Sequence, residues 1–370
     1  MVWSDACVAA FVPRKKWWFI VLTVAVVGIA LVIPDSRRLQ REPAKRYFLE
    51  GEFGEWGRVQ ATLSLETYEP CLEVTSVSSG AQWEFWGTGD EQSVRFAEQD
   101  QRGQSGPPTN RVIRAQFNHN PFKIQATVGT LTNAPSVEIE FKTVAEYECW
   151  SGRRGIRFKH RGWDREYKGY VPVFREPTEL ERAAMRVCRE DCVAAGKEFL
   201  GEAEPDWRET IHYFTQPTET SHWYEEDYCQ IEHRGRAVLS LRMVASTYTG
   251  GAHPNSSTRC RNFRWQEGRL HEIALAELFR EDGDWLSRLA EMVTADLKRQ
   301  EASWIVDGSV KVSKPEHLNQ FTLVPAGIVF YFDAYEMGSY AEGRYRVFVP
   351  FAQIEPVLKK SEWLRELRGN

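Results

Sequence analysis

The chain has 370 residues, about two domains' worth, of which 42% are hydrophobic and 27% are charged. This composition is typical of a globular protein and excludes a disordered or collagen-like chain. The 47 Lys and Arg residues are outnumbered by 52 Asp and Glu residues, so the net charge is −5. A general nucleic-acid-binding protein needs a basic surface, and we therefore expect no nucleic-acid partner.

The first predicted element is an N-terminal membrane anchor at residues 17–33. The segment WWFIVLTVAVVGIALVI contains no charge, follows the basic residues 14–16, and begins with a Trp pair suited to the membrane interface. At about 1.5 Å per residue it can cross a thin hydrocarbon core. A cleaved secretory signal is the alternative, because residues 28–30 resemble a cleavage site. The apolar run continues to Ile33, which favours an uncleaved anchor behind a cytoplasmic tail of residues 1–16.

The cysteines beyond this anchor indicate export. Six cysteines, an even number that is typical of an oxidising compartment, follow the anchor: Cys71, Cys149, Cys188, Cys192, Cys229 and Cys260. The Lys and Arg residues around the span, three before and five after, do not favour this orientation. We nevertheless expect a single-pass protein of the inner or cytoplasmic membrane whose body faces the periplasm or the cell surface. Residues 47–370 carry 39 basic and 49 acidic residues, and this net charge of −10 would attract cationic partners.

The exported body is predicted to contain two domains. Residues 34–46 are polar, carry two prolines, and read as a tether. Residues 47–170 alternate between apolar and polar side chains, as in 59–65 and 137–141, which predicts a small all-β domain. Residues 171–370 mix helical and strand patterns and predict an α+β domain of helices on a mainly antiparallel sheet. The predicted fold class is therefore α+β behind an N-terminal transmembrane helix.

Helix signals are clearest in the second domain. Thr178 and Glu181 form a capping box, and Asp284 is a helix cap. The first of these helices carries an apolar stripe at steps of three or four: Leu180, Ala184, Cys188, Cys192, Ala195 and Phe199. Residues 321–324 and 328–332 read as a hairpin, and residues 350–360 as a last helix.

The spacing of the cysteines suggests their partners. Two cysteines one turn apart on a regular helix do not easily bridge each other. We therefore predict that Cys188 and Cys192 bridge to Cys229 and Cys260 in some order. Cys71 is predicted to pair with Cys149. A four-thiolate zinc site is the alternative, but the closely spaced cysteine pairs usual at such sites are not present at both ends. We expect neither a metal nor a cofactor.

Two stretches carry a family resemblance. Residues 246–255 read STYTGGAHPN, and residues 321–351 contain FTL, GIVFYFDAYE, YAEG and VFVPF. Together they resemble the bacterial domain of unknown function at the exported end of RsiV-type anti-sigma factors. The same unit precedes the catalytic domain of PdaC-type peptidoglycan deacetylases. The resemblance covers roughly residues 171–360, and the paired motifs are more specific than either motif alone.

This resemblance implies an extracytoplasmic domain that binds lysozyme, a cationic cell-wall hydrolase. The sixteen residues before the anchor are too few for a sigma-factor clamp, and the deacetylase chemistry belongs to another domain. We therefore expect a non-enzymatic, membrane-anchored binding protein of the cell envelope whose partner is a lysozyme-like protein or peptidoglycan. The candidate ligand-binding residues lie in the two motifs: Tyr248, His253, Asp333, Tyr335, Glu336 and Tyr340.

The alternative is a hydrolase or deacylase that acts on glycan. Gly250 and Gly251 permit a sharp turn and Pro254 restricts the chain, so that His253 is held in place. His253 and Asp333 would then act as a base and its orienting carboxylate. No nucleophile motif and no second His at ligand spacing accompany them, which favours a binding role.

Overall fold

A computed structural model describes residues 30–32, 39–53, 57–66, 70–89, 93–98, 111–119, 122–130, 137–158, 161–201 and 220–369. The predicted cytoplasmic tail, most of the predicted anchor and a strand expected at residues 211–214 lie outside the described residues.

Strands β2 to β9 form a closed ring of antiparallel pairs, in which each strand pairs with the next and β9 pairs with β2. The chain enters through the short strand β1 (Ala30–Val32), and the ring consists of β2 (Gln40–Phe53), β3 (Gly57–Ser64), β4 (Cys71–Ser76), β5 (Gln82–Gly89), β6 (Ser93–Glu98), β7 (Arg111–His119), β8 (Phe122–Thr130) and β9 (Val137–Phe158). Because side chains alternate between the faces of a strand, apolar residues such as Leu63, Leu72 and Phe85 fill the ring. The opposite face of β2–β5 is polar.

The sheet continues beyond the ring. Strand β10 (Arg161–Phe174) pairs antiparallel with β9 and parallel with β11 (Thr220–Arg234), and crosses residue 170, where a domain boundary was predicted. The antiparallel strands β12 (Leu239–Tyr248), β13 (Asn255–Gln266) and β14 (Arg269–Glu272) follow. In the described part of the chain, fourteen strands therefore belong to one sheet.

Helix α1 (Glu179–Gly201) covers one face of this sheet, and its capping box is confirmed. The backbone N–H of Glu181 donates to Thr178 Oγ1 over 3.2 Å, and the backbone N–H of Thr178 donates to the Glu181 carboxylate over 2.7 Å. The predicted stripe is buried at Leu180, Ala184, Cys188, Cys192 and Phe199, and Ala195 packs against the same core half-buried. The local signals at the helix start and along its face thus determined this element.

The contact between α1 and β10 depends on a glycine. A Cβ atom at Gly169 would meet the Sγ atom of Cys192 and lie 2.7 Å from the hydroxyl oxygen of Tyr167. Both neighbours are buried, so neither can move away freely. We expect Gly169→Ala to lower the free energy of unfolding by about 2 kcal/mol through overpacking, as measured by urea denaturation. Gly201→Ala is the control, because no atom lies within 4 Å of a Cβ there; equal effects of the two substitutions would contradict this account.

The C-terminal residues form a second layer. A three-stranded antiparallel sheet, β15 (Phe321–Val324), β16 (Gly327–Phe332) and β17 (Tyr345–Pro350), packs with α2 (Trp285–Arg299), α3 (Ser303–Val306), α4 (Phe351–Ile354) and α5 (Glu362–Leu367) around one core. The predicted cap of α2 is confirmed, since Asp284 accepts the backbone N–H of Ser287. The expected helix over 350–360 is shorter, because α4 passes into a 3₁₀ turn at Glu355–Val357. Pro356 has no backbone N–H and therefore cannot continue the hydrogen bonds of the α-helix.

The predicted fold class, with its transmembrane helix, was wrong. Among the described residues no helix is both long and apolar enough to cross a membrane. The described part of the predicted anchor is strand β1, which pairs Ala30 with Phe158 and Val32 with Ile156 of β9. Apolar runs rich in β-branched residues suit strands as well as helices, so hydrophobicity alone misassigned this segment. The part of the chain that the structure describes is mostly β, with few helices.

The predicted disulfides were also wrong, because all six described cysteines are free thiols. Cys71 lies on β4 and Cys149 on β9, and β2 and β3 separate the two strands. At about 4.8 Å per strand their Cα atoms are well beyond the ~7 Å that a disulfide allows. Burial raises the pKa of the Cys149 thiol to about 11.

The cysteines near α1 fail to bridge for a different reason. Cys192 receives a hydrogen bond of 3.4 Å from the Tyr167 hydroxyl. Cys188 and Cys229 approach closely enough for a thiol–thiol hydrogen bond, which together with burial raises the pKa of Cys229, but they remain unlinked. Cys260 packs beside Val324 on the face of β13 opposite α1. Within the described residues no three His, Cys, Asp or Glu side chains form a metal-holding group.

Candidate functional site

The loop between β12 and β13 carries the predicted histidine. Gly250 and Gly251 adopt φ angles of +97° and +108°, values that favour glycine. The Tyr248 hydroxyl donates a 3.1 Å hydrogen bond to the carbonyl oxygen of Gly251 and closes the turn. The glycine pair therefore serves the turn geometry, as the sequence predicted, and places His253 just before β13.

Asp333 fastens the second loop, which follows β16, to β13. Its carboxylate accepts the backbone N–H of Thr258 over 2.6 Å and the Thr258 hydroxyl over 2.7 Å. Arg344 adds a 3.2 Å hydrogen bond to Ser256 Oγ and lies 3.6 Å from Asp333. Sequence reasoning missed Thr258, Ser256 and Arg344, because no motif links residues that lie 75 or more positions apart in the chain.

The two loops join in an aromatic group that we call the His253 cluster: His253, Tyr335 and Tyr340. The rings of His253 and Tyr340 stack with centroids 3.6 Å apart. His253 Nδ1 lies 3.0 Å from the carbonyl oxygen of Pro254, which can only accept, so Nδ1 carries the proton. His253 Nε2 can then accept from the Tyr335 hydroxyl, 3.3 Å away. The Tyr340 hydroxyl donates to the same Pro254 carbonyl over 2.9 Å.

Tyr335 is held in an unusual backbone conformation. Its φ angle is +70°, in the left-handed region that is costly for a bulky residue. Its side chain is nevertheless 52% exposed, so burial in a core does not offset this strain. Strained residues of this kind concentrate at binding sites and active sites.

A carboxylate below the cluster holds the segment that carries Tyr340. Glu342 accepts hydrogen bonds from the backbone N–H groups of Ser303 and Ser339, from both of their hydroxyls, and from the Tyr345 hydroxyl, all at 2.6–3.0 Å. The N–H donors, Ser303 first, hold the pKa of Glu342 below its ordinary value. Tyr340 is thereby presented by a loop with many hydrogen bonds.

The structure thus brings some of the predicted site residues together and separates others. His253, Tyr335 and Tyr340 meet, whereas Asp333 binds Thr258 instead of pairing with His253. Glu336 accepts the backbone N–H of Asp333 over 2.9 Å, and burial raises the pKa of Glu336. The cluster therefore offers ring faces, an imidazole and hydroxyls, which are groups suited to binding.

Comparison with known proteins identifies part of the chain. A family model described as a protein of unknown function, DUF3298, matches residues 276–352. A crystal structure of a DUF3298 family member from Bacteroides fragilis aligns with a TM-score of 0.45 and 18% identity, covering 61% of this chain and 98% of that one. A DUF3298 family protein from Pseudomonas aeruginosa PAO1 aligns with a TM-score of 0.38 and 12% identity, covering 58% and 94%. No protein with a curated description matches the chain. Residues 276–352, which include Asp333, Tyr335 and Tyr340, are a DUF3298 domain.

Proposed function

We propose that this protein is a non-catalytic binding protein whose His253 cluster recognises a cationic, lysozyme-like protein. The observation that carries the proposal is the exposed, strained Tyr335 beside His253. A half-exposed tyrosine in a conformation that costs backbone energy is best explained by a contact with a partner.

The chemistry of the cluster favours binding over turnover. Asp333 is the carboxylate that the sequence suggested as the partner of His253, but it accepts two hydrogen bonds from Thr258 instead. His253 is oriented by a carbonyl and by a tyrosine, and none of the described residues places a carboxylate within hydrogen-bond distance of it to stabilise a developing imidazolium. An exposed tyrosine is the kind of side chain that anchors protein interfaces.

Charge and resemblance support the class of partner. Residues 47–370 carry a net charge of −10, which would steer a cationic protein toward the body. The two motifs that build the cluster resemble the RsiV-type domain, which binds lysozyme. A partner of this kind acts on the cell wall, and we therefore infer that the body works outside the cytoplasm. The cysteine argument for export no longer contributes, because the thiols are free.

The test is the substitution Tyr335→Gly. Glycine tolerates the positive φ angle, so the variant should be as stable as the parent or more stable. Loss of the ring should weaken binding to a c-type lysozyme by about tenfold or more, as expected for an interface anchor. Calorimetric titration gives the affinity and thermal unfolding gives the stability.

The matched control is Glu267→Gly. Glu267 also has a positive φ angle, +51°, but it lies on the β13–β14 turn, about 30 Å along β13 from the cluster. This variant should bind lysozyme as the parent does. Unchanged lysozyme binding by Tyr335→Gly would contradict the proposal. Binding of the parent to soluble peptidoglycan fragments but not to lysozyme would contradict the assigned partner.

A further inference from the structure

A large polar cleft lies next to the loops that carry the His253 cluster, and Thr258, Glu342 and Arg344 form part of its lining. It measures about 1210 Å³ and separates the outer face of β2–β5 from β11, β12, β16 and β17. The cleft is somewhat larger than a typical site for a small molecule. The ring approaches β17 at one end, where Arg346 donates a 2.9 Å hydrogen bond to the carbonyl oxygen of Gly80.

The register of the ring strands explains why this wall is polar. Arg46, Ser64, Cys71 and Trp86 are successive cross-strand partners on β2, β3, β4 and β5. A second row of residues lies two positions away along the strands, on the same face, and contains Thr62, Glu73 and Glu84. The apolar residues between these positions fill the ring. The wall is therefore built by strand alternation, and its polar side chains are turned toward the rest of the protein.

Arg46 is the most unusual residue of this wall. Its guanidinium group is only 7% exposed and lies 4.3 Å from the ring centroid of Tyr228 and 5.3 Å from that of Tyr170. The group makes one long hydrogen bond, 3.4 Å from Nη2 to Ser64 Oγ. Arg46 Nε has no acceptor, and within the described part of the chain no carboxylate forms an ion pair with Arg46. Burying an unpaired charge is costly.

A second buried group in the cleft also lacks a partner. Gln230 on β11 is 9% exposed and donates from Nε2 to Glu73 over 3.0 Å, but its Oε1 accepts no hydrogen bond. Among the described residues, Arg346 Nε at the mouth of the cleft is likewise unsatisfied. Buried polar atoms are rarely left without partners. Two such atoms on opposite walls, Arg46 Nε and Gln230 Oε1, therefore point to a ligand that supplies both an acceptor and a donor.

The neighbouring charges narrow the class of ligand. The planar guanidinium group of Arg46 suits an oxyanion, but the carboxylates of Glu73 and Glu84 lie in the row of wall residues next to that of Arg46. A doubly charged phosphate would be repelled by them more strongly than a singly charged carboxylate. We propose that the cleft binds a small organic molecule through a carboxylate group held by Arg46, and that an N–H group of this ligand donates a hydrogen bond to Gln230 Oε1.

The test uses a panel of ligands. Acetate, succinate, acetyl-dialanine with a free carboxylate, acetyl-dialanine amide and inorganic phosphate are titrated into the full chain and followed by calorimetry and thermal unfolding. We expect at least one carboxylate to bind with a Kd of about 1 mM or lower and to raise the unfolding midpoint. The amide should bind at least about tenfold more weakly than the acid, because the charge-assisted pair is lost.

The substitution Arg46→Met separates a ligand-binding role from a structural one. Without ligand its unfolding midpoint should equal or exceed that of the parent, because an unpaired buried charge has been replaced by an apolar chain. With ligand it should lose the carboxylate response. Arg46→Lys, which keeps the charge but not the fork, should bind at least about tenfold more weakly. The control Arg236→Met removes the same charge from a fully exposed position and should bind as the parent does.

Three results would overturn the proposal. The first is no binding of any carboxylate in the panel, and the second is tighter binding of phosphate than of every carboxylate. The third is a lower unfolding midpoint of ligand-free Arg46→Met, which would make Arg46 a structural residue. The proposal does not depend on the proposed function, because Tyr335→Gly should leave carboxylate binding unchanged.

Discussion

Arg242→Met should destabilise the protein by about 3–5 kcal/mol at pH 7, the usual effect of removing one partner from a buried ion pair. Arg242 Nε lies 2.6 Å from Glu232 Oε1, and Arg242 Nη2 lies 3.8 Å from Glu73. Burial by itself would raise the pKa of Glu232, but the charge and hydrogen bond of Arg242 outweigh it and keep that pKa below its ordinary value. Without Arg242, the buried Glu232 would lose its ion-pair partner, and the partly buried Glu73 would lose a cation 3.8 Å away.

The pH dependence and a double variant make this prediction specific. At pH 7 Glu232 of the variant must either stay charged in the interior or take up a proton, so the deficit in the free energy of unfolding is largest there. The deficit should shrink toward pH 4.5, where protonation of Glu232 becomes easy. Arg242→Met combined with Glu232→Gln should be more stable than the single variant.

Urea denaturation at both pH values measures these differences. Arg280→Met is the control, since Arg280 pairs with Asp282 on the surface and its removal should change the stability little. A deficit that does not depend on pH, or a double variant less stable than Arg242→Met, would contradict the proposed pairing.

The second large effect is a loss of stability in acid caused by His233. This side chain is buried on β11, and burial, followed by the charge of Arg58, lowers its pKa to about 3. The unfolded chain binds a proton at His233 below pH ~6.5, whereas the folded chain does not. Stability is therefore fully present above that pH and falls as the pH drops, by about 1.4 kcal/mol per unit.

The variant His233→Gln isolates this contribution, because glutamine stays uncharged in both states. Between pH 6.5 and pH 4.5 the parent should lose about 2 kcal/mol more than the variant. Urea denaturation at intervals of half a pH unit gives the free energy of unfolding of both proteins as a function of pH. Subtracting one curve from the other cancels the contribution of the carboxylates that titrate in the same range. Parallel curves would show that His233 takes up its proton in the folded state as well.

Much of the local structure could be predicted from the sequence. The capping box and stripe of α1, the cap of α2, and the hairpin of β15 and β16 each depend on residues within a few positions of one another. The glycine pair before His253 predicted a turn for the same reason. The apolar run at the start and the cysteines were misread, because apolar β-branched residues suit both helix and strand and an even number of cysteines does not bring any two together.

The two sites were decided by tertiary structure. The sequence by itself determined where helices begin, which faces are apolar, and that the motifs with His253 and Tyr335 belong together. The tertiary structure alone decided that Asp333 binds Thr258 across 75 positions, and that Arg46 lies against Tyr228 with no carboxylate partner among the described residues. The physical reason is that neighbouring residues interact in any fold that keeps their local backbone. Contacts between distant residues exist only once strand order and register are set.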